Sequence, residues 1–230
     1  MYNEGVIMKN IIKFIKTIIT VVLLVVICIV GYVCYDGYNL YKEAITETPL
    51  DIMVSDIQDG ENYLSYEEIP TLFVNAIVAV EDHRFYSHNG FDIISFGRAI
   101  VTNIQEKSLS QGGSTLTQQL AKNMYFSFEK KFSRKIAELL VAFDLEKSYE
   151  KDEIATLYIN TVYFGDGYYG LKEASEGYFN KQVNELTEDE MTLLAGIPNA
   201  PSAYALSTNE DLARKRQEVV IECLEKYGQN

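Results

Sequence analysis

The chain has 230 residues, of which 47% are hydrophobic, and a formal net charge of −13 at pH 7. That length accommodates a membrane segment and one domain of ordinary size. The acidic balance makes the chain a poor candidate for binding nucleic acid, which needs Lys and Arg in excess on one face. Three cysteines, two of them within an apolar segment, and two histidines are too few for a disulfide framework or a His-rich metal site.

One apolar segment is long enough to cross a membrane. Residues 17–35 run for nineteen positions without a charged side chain, and about 20 apolar residues span a hydrocarbon core. Lys9, Lys13 and Lys16 precede the segment, so the N-terminus is expected in the cytoplasm. A cleavable signal peptide, the alternative, usually has a shorter apolar region. We therefore predict an uncleaved anchor over residues 1–36, single-pass in the cytoplasmic membrane, with the rest of the chain outside.

The remaining chain divides into two parts by composition. Residues 37–68 are polar and acidic, and we predict a membrane-proximal stalk there, with a strand or a short helix. Residues 69–230 are predicted to form one mainly α domain, because apolar residues recur at helical spacing between Gly and Pro breaks. The predicted helices span residues 70–82, 92–105, 115–124, 134–147, 151–160, 170–178, 187–196 and 209–227.

The first helix of that domain ends in two carboxylates. Pro70 suits a first helical turn, and an apolar run then continues without charge as far as Glu81 and Asp82. Negative charge is disfavoured at a helix C-terminus, and apolar surroundings raise a carboxyl pKa, as a general base requires. Glu81 is therefore a candidate base, although an acidic helix end exposed to solvent would have the same sequence. His88 is more simply interpreted as a structural residue bonded to a carbonyl or a carboxylate.

The segment that follows, residues 91–101, is largely apolar. Two interpretations fit this pattern. One is ordinary core, and the other is a surface that dips into lipid, which would suit an enzyme tethered to a membrane.

A glycine pair at 112–113 leads into the third predicted helix. Thr115 and Gln118 match a capping box, and a helix start after a glycine-rich turn offers free N–H groups to anions. Gln118 and Lys122 are four residues apart and share a helix face. A well-capped helix with a polar face explains the same pattern, so both interpretations remain open.

The fourth predicted helix begins after Ser133, a natural N-cap. Arg134 and Glu138 lie four residues apart, opposite an apolar stripe that consists of Ile136, Leu139, Leu140 and Phe143. Val141 and Leu145 share the side of Arg134 and Glu138, so we expect the pair to be partly buried, as in the wall of a cleft. A simple surface ion pair is the alternative.

A basic cluster interrupts the acidic chain in this region. It consists of Lys122, Lys130, Lys131, Arg134 and Lys135. A charge run is usually a solvated face. In an acidic protein, however, a local reversal of sign favours an anionic ligand.

Five motifs in order resemble the peptidoglycan glycosyltransferases, the family that includes the glycosyltransferase domains of bifunctional penicillin-binding proteins. They are Glu-Asp-x-x-Phe-x-x-His-x-Gly at 81–90, Gly-Gly-Ser-Thr-x-Thr-Gln-Gln-x-x-Lys-Asn at 112–123, Arg-Lys-x-x-Glu at 134–138, Tyr-x-Asn-x-x-Tyr-Phe-Gly at 158–165 and Leu-Ala-Gly-x-Pro-x-Ala-Pro-Ser at 194–202. The resemblance covers residues 65–205. It implies a bacterial enzyme of cell-wall synthesis with a lysozyme-like α fold, which polymerises lipid II outside the cytoplasmic membrane.

The resemblance also implies roles for single residues. Glu81 matches the catalytic base, which deprotonates the 4-hydroxyl of the acceptor sugar, and Glu138 matches a second carboxylate that positions substrate or assists at the leaving pyrophosphate. Lys122 and Arg134 match cations that steady this pyrophosphate. The other substrate-binding residues implied are Asp82, Ser114, Thr115, Gln118, Gln119, Asn123, Lys130 and Lys135. Lys130 stands where many members have Arg, so it supplies charge without a bidentate fork.

The implied reaction is a single displacement. An α-linked diphosphate donor gives a β-1,4 product, so the anomeric carbon inverts, polyprenyl diphosphate leaves and no covalent sugar intermediate forms. The implied partners are lipid II, the growing lipid-linked glycan strand and the cytoplasmic membrane, with no nucleic acid. Other cell-wall synthesis proteins, and a divalent cation (Mg²⁺ or Mn²⁺) held with the substrate diphosphate, are left open.

Two other classes of function and a second activity are the alternatives to a glycosyltransferase. Ser127-Phe-Glu-Lys130 is a formal Ser-x-x-Lys match, but no Lys-Thr-Gly follows, and the length leaves no room for a transpeptidase domain, so we expect a monofunctional chain. A lysozyme-like hydrolase or lytic transglycosylase would also use a catalytic Glu, but would not need the basic cluster or the anchor. A non-catalytic module that binds lipid-linked glycan would lack one or both acids.

Overall fold

A computed structural model of the chain describes residues 2–106, 112–126 and 132–228. Across these ranges the chain forms α-helices joined by short 3₁₀ turns, with one isolated β-bridge between Tyr163 and Tyr169 and no strand. The predicted mainly α class is therefore confirmed. The helices are α1 (Tyr2–Glu47), α2 (Leu50–Gln58), α3 (Thr71–Glu81), α4 (Ile93–Glu106), α5 (Leu116–Ala121), α6 (Arg134–Ser148), α7 (Lys151–Thr161), α8 (Gly170–Phe179), α9 (Glu188–Gly196), α10 (Pro201–Tyr204) and α11 (Leu206–Tyr227).

Helix α1 combines the predicted anchor with the first part of the predicted stalk. It is continuous through 46 residues, and within the described ranges it is the one helix long and apolar enough to span a membrane, with a mean hydropathy of 2.9 over its most apolar window. Its last turns pack against α6, where Gly37 lies so close that a Cβ on it would meet Ile136 Cβ at 2.5 Å. Ser133 donates to Asp36 Oδ2 at 2.5 Å across the same contact.

The rest of the predicted stalk also packs onto the domain. Helix α2 contacts α7, and the side-chain amide of Asn160 joins the backbone of Leu64 in both directions, at 2.8 and 2.9 Å. The amide of Asn160 therefore ties this loop to α7. The division into an anchor at 1–36, a stalk at 37–68 and a domain at 69–230 stays a prediction.

Helix α3 lies at the centre of the core because nearly all of its side chains are apolar. Phe73, Ala76 and Ile77 are fully enclosed, and the helix packs against α9 and α11. As a result the C-terminal end of α3 is surrounded by protein. The Glu81 side chain is only 7% exposed, so the interpretation of an acidic end in solvent is wrong.

Helix α5 is short and almost wholly buried between α6 and α7. Its predicted capping box is confirmed: the Gln118 N–H donates to Thr115 Oγ1 at 3.2 Å, and the Thr115 N–H donates to Gln118 Oε1 at 3.1 Å. The helix predicted to continue to residue 124 changes at its end into a π-helix, Lys122–Phe126. Such π-helical turns occur frequently at functional sites.

Helix α6 turns a different face to the core than its apolar stripe suggested. Glu138, Val141 and Leu145 are buried, whereas Phe143 of the stripe is exposed and Ile136 contacts α1 instead. Ser133 precedes the helix but makes no side-chain cap, because its hydroxyl donates to Asp36. Ser133 therefore occupies the predicted N-cap position without capping a backbone N–H, and Glu138 is buried more deeply than a cleft wall would require.

Helix α4 presents an exposed apolar surface. The side chains concerned are Ile93, Ile94, Phe96, Ile100 and Val101, with Ile93 exposed by 72%. Ordinary core is therefore excluded for these residues, and the lipid-facing interpretation of the segment remains.

Candidate active site

Glu81 lies where α3, α5, α7 and α11 meet. Its Oε2 accepts a hydrogen bond from Gln119 Nε2 at 2.9 Å, and Gln119 Oε1 accepts one from the buried Tyr158 hydroxyl at 3.3 Å. Tyr158 therefore orients the amide so that its NH₂ group faces the carboxylate. Oε1 of Glu81 is buried and accepts no hydrogen bond from the described residues. The Nη2 of Arg216 lies 3.7 Å from that oxygen, within ion-pair distance.

These surroundings shift the proton affinity of Glu81 towards that of a base. Burial raises the pKa of Glu81, and the hydrogen bond from Gln119 and the charge of Arg216 offset this rise only in part, while the neighbouring Asp82 adds to it. Burial, with the charge of Glu81 adding to it, also raises the pKa of Tyr158 well above its ordinary value, so that its hydroxyl stays a donor. A carboxylate with a raised pKa and one oxygen without a hydrogen bond can accept a proton from a bound hydroxyl group.

Asp82 fixes the start of α5. Its Oδ2 lies 2.9 Å from His88 Nε2 and accepts the Leu116 N–H at 3.0 Å. The Thr115 hydroxyl donates to the Gly90 carbonyl at 2.8 Å, and Gly90 has a φ of +80°, which favours glycine. The first two motifs are thus joined, and His88 binds a carboxylate as expected. Asp82 and Thr115 act here as structural partners.

The second carboxylate is held between two cations of its own helix. Glu138 is fully buried, with Arg134 Nη1 at 3.0 Å from Oε1 and Lys135 Nζ at 2.7 Å from Oε2. Both are ion-pair contacts without hydrogen-bond geometry. Lys135 also donates to Ser114 Oγ at 2.9 Å, which ties α6 to the glycine-rich turn. Two cations on one carboxylate leave a net positive charge at the rim, which suits an anionic group.

The remaining predicted binding residues are spread along the same wall. Lys122 is exposed and Asn123 half-buried at the start of the π-helix. Gln118 is buried, and its side-chain oxygen is used within the capping box. Lys130, like Lys131, lies outside the described residues. The substrate-binding roles of this set stay predictions.

An ion pair that the sequence analysis missed orders the start of α4. Arg84 Nε lies 2.9 Å from Asp92 Oδ2, and Asp92 also accepts from the Ser95 hydroxyl at 2.6 Å and the Ile94 N–H at 2.9 Å. Burial alone would raise the pKa of Asp92, but these hydrogen bonds and the Arg84 charge outweigh it and hold the pKa at about 2. Asp92 is therefore a charged cap that fixes the exposed apolar helix beside the site.

Arg216 and Tyr158 also join the site, although nothing in their local sequence pairs either residue with Glu81. Arg216 lies on α11, 135 positions after Glu81 in a helix of mixed charge, and Tyr158 reads as aromatic core. Gln119 was among the predicted binding residues, but its contact with Glu81, 38 positions earlier, comes from the fold, which brings α5 to the end of α3. Within the described ranges, no group of three or more His, Cys, Asp or Glu side chains could hold a metal ion, so the divalent cation stays a question for an activity assay.

The domain combines a buried carboxylate that can accept a proton with cations around a second carboxylate. These are the groups needed by an enzyme that transfers a group away from an anionic leaving group. Comparison with known proteins agrees with a group-transfer enzyme. The family model described as Transglycosylase matches residues 51–225. Its match begins within the predicted stalk, in α2.

The similar proteins are penicillin-binding proteins. Penicillin-binding protein 1F of Bacillus subtilis (strain 168) is 41% identical over 178 residues, which cover 77% of this chain and 25% of that protein. Penicillin-binding protein 4 of the same strain is 40% identical over 179 residues, covering 76% and 29%. Penicillin-binding protein 1A of Neisseria lactamica is 46% identical over 154 residues, covering 67% and 19%. The match therefore spans less than a third of the length of these relatives.

The chain belongs to the transglycosylase family, and the family predicted from its five motifs is confirmed. The family match covers all of α3 to α10 and most of α11, and so includes Arg216 as well as the five motifs.

Proposed function

We propose that this chain polymerises lipid II into peptidoglycan glycan strands, with Glu81 as the general base. One observation carries the proposal: a buried carboxylate has a raised pKa, one oxygen held by Gln119 and the other without a hydrogen bond from the described residues. Family membership supports the same reaction class.

The proposed reaction moves one proton and exchanges one bond. The 4-hydroxyl of the acceptor sugar gives its proton to Glu81, and the hydroxyl oxygen forms a bond to the anomeric carbon of the donor. The bond from that carbon to the diphosphate breaks, and its electron pair leaves with the polyprenyl diphosphate. Attack from the face opposite the leaving group converts the α-linkage to a β-1,4 linkage.

The cations on α6 would stabilise the leaving diphosphate. Arg134 and Lys135 are held near Glu138, so their positions are fixed before substrate binds and little reorganisation is needed as negative charge develops. Lys122 and Lys130 would add charge from the neighbouring segment. In this proposal Glu138 acts by holding these cations, which is one way to assist at the pyrophosphate.

The apolar surfaces of α1 and α4 support a lipid-linked substrate. The three lysines before the apolar part of α1 favour an N-terminus in the cytoplasm, which would place the domain outside. The exposed apolar residues of α4 would face the lipid, beside a site whose substrate carries a polyprenyl chain. Lipid II, the lipid-linked strand and the membrane are the partners proposed.

The test uses the full chain in detergent with labelled lipid II, with and without Mg²⁺ or a chelator. We expect polymer from wild type and none from Glu81→Gln, while Glu218→Gln, an exposed Glu on α11, should behave as wild type. A folded Glu81→Gln variant with near-normal turnover would remove the proposed base. Cleavage of finished glycan without polymerisation would replace the proposal by a hydrolase, and labelling by a fluorescent penicillin would contradict the monofunctional prediction.

A further inference from the structure

Arg216 is the one cation near Glu81 among the described residues for which the structure gives an ion-pair contact. Its Nη2 lies 3.7 Å from Glu81 Oε1, which is too far for a hydrogen bond but within ion-pair distance. Both side chains are largely enclosed, Arg216 at 17% and Glu81 at 7% exposure. Because enclosure weakens solvent screening, a charge at this distance affects the ionisation of its neighbour more than the same charge would in open solvent.

The stem of Arg216 is held where it crosses α9. A Cβ on Gly196 would lie 3.0 Å from Arg216 Cγ, so the glycine leaves the space that the stem occupies. The Nε of Arg216 is buried without a hydrogen bond from the described residues. The guanidinium is therefore placed by packing of α11 against α3 and α9, and its position depends on the fold.

We propose that Arg216 is a positioning residue, which keeps the Glu81 carboxylate ionised and leaves Oε1 as the oxygen that receives the proton. Gln119 occupies Oε2, and the 3.7 Å separation leaves Oε1 able to accept a hydrogen bond from a substrate hydroxyl. This inference rests on the base role proposed above for Glu81.

Other charged or titratable groups lie near Glu81 and Arg216 and shift the pKa values at the site. Asp82 raises the pKa of Glu81 and Arg216 lowers it, against the larger effect of burial. Tyr158 stays protonated on the α7 side. Cys223 lies on α11 near Arg216. Burial raises the pKa of Cys223, and the charge of Arg216 opposes that rise; Glu222 adds to the rise and Lys226 opposes it. Removal of the Arg216 charge should therefore favour the protonated form of Glu81, which cannot act as a base.

The test compares Arg216→Gln with Arg216→Lys in the full chain, with Arg214→Gln as the matched control. Arg214 is on the same helix but pairs with Asp189 at 2.6 Å and Glu210 at 3.4 Å. For Arg216→Gln we expect the acid limb of the pH profile of kcat/KM to move to higher pH. Activity at one pH on that limb should fall roughly tenfold, the change that one pH unit gives, and recover towards wild type at alkaline pH. Arg216→Lys should restore most of the profile, and Arg214→Gln should leave it unchanged.

A second readout does not need turnover. Carbon-13 NMR of labelled Glu carboxyls, assigned with Glu81→Gln, should give a higher titration midpoint for Glu81 in Arg216→Gln than in wild type. Gly196→Ala, which displaces the Arg216 stem without removing the charge, should cause a smaller shift in the same direction and serves if Arg216→Gln does not fold. An unchanged Glu81 titration in the folded variants would overturn the inference. Absence of polymer from wild type would instead overturn the proposed function, whatever the titration gives.

Discussion

At the scale of single residues, the site holds a carboxylate in surroundings that disfavour its charge. Burial raises the pKa of Glu81, and Gln119 and Arg216 compensate this only in part. The folded chain therefore binds the Glu81 proton more tightly than the unfolded chain does. Ionisation above the ordinary Glu range then lowers the stability of the folded state. Active sites commonly reduce stability in this way.

This imbalance predicts that Glu81→Gln is more stable than wild type at neutral pH. The side chain of the variant cannot ionise, so it avoids the loss of stability that grows as the pH rises through the folded-state pKa. Below about pH 4, where Glu81 is protonated in both states, the difference should vanish. The measurement is the Tm of both proteins by circular dichroism from pH 4 to pH 8, with Glu218→Gln as control. A variant equal to or less stable than wild type at pH 8 would mean that the Glu81 charge is fully compensated.

Substitution of Lys122 tests whether the basic cluster binds a diphosphate or is ordinary surface charge. If Lys122 contacts the diphosphate, its removal costs about 1.5–3 kcal/mol, more where charge develops in the transition state. Lys122→Ala should then reduce polymerisation at least tenfold, since about 1.4 kcal/mol is one decade in rate. Initial rates with labelled lipid II measure this effect.

The control for Lys122 must be an exposed lysine remote from the site. Lys226 looks suitable by position in the sequence, but its Nζ lies 5.0 Å from the Tyr227 ring, which stacks on His83 next to Asp82. Lys147, exposed in the last turn of α6, is the better control. Equal, small effects of Lys122→Ala and Lys147→Ala would mean that Lys122 belongs to a solvated face.

At the scale of elements, α6 connects the long apolar helix α1 to the proposed diphosphate site. One end of its contact with α1 is formed by Asp36, Gly37 and Ser133, and the Tyr41 hydroxyl donates to Asp144 at 2.6 Å further along. The same helix carries Arg134, Lys135 and Glu138 on its first turns. A change in how α1 seats on α6 should therefore move the cations.

Two glycines of α1 test this connection in the full chain. A Cβ on Gly37 would lie 2.5 Å from Ile136 Cβ and 2.6 Å from the Ser133 carbonyl oxygen, whereas one on Gly31 meets nothing within 4 Å. Overpacking at Gly37 should cost about 1–3 kcal/mol, and roughly 2–4 °C of Tm accompanies each kcal/mol in a protein of this size. Gly37→Ala should lower both Tm and polymerisation rate, and Gly31→Ala should be neutral or slightly stabilising. Similar behaviour of the two variants would show that the contact is loose.

At the scale of the whole molecule, charge and apolar surface are separated. The chain is acidic overall, yet Arg134 and Lys135 concentrate positive charge beside a turn that begins a buried helix. The exposed apolar residues of α4 and the apolar part of α1 are the surfaces that membrane lipid would cover. An acidic body keeps anionic ligands away from most of the surface, so the cationic wall becomes the favoured place for a diphosphate.

The sequence alone determined most of the helices, the apolar segment long enough to span a membrane, the capping box of Thr115 and Gln118, and the family. These depend on local spacing or on motifs, and hydrophobic periodicity, capping chemistry and residue order are all written within short windows. Glu81 could be singled out for the same reason, because an apolar helix that ends in a carboxylate breaks a local rule.

Only the tertiary structure decided which groups surround these residues. Arg216 meets Glu81 because α11 packs against α3, and Ser133 gives its hydroxyl to Asp36 because α1 continues past the apolar segment and lies on α6. The buried face of α6 could not be chosen from periodicity, since Glu138 becomes tolerable inside only when Arg134 and Lys135 neutralise it. Contacts between residues distant in sequence depend on how the helices pack, and a single-sequence pattern carries no information about that packing.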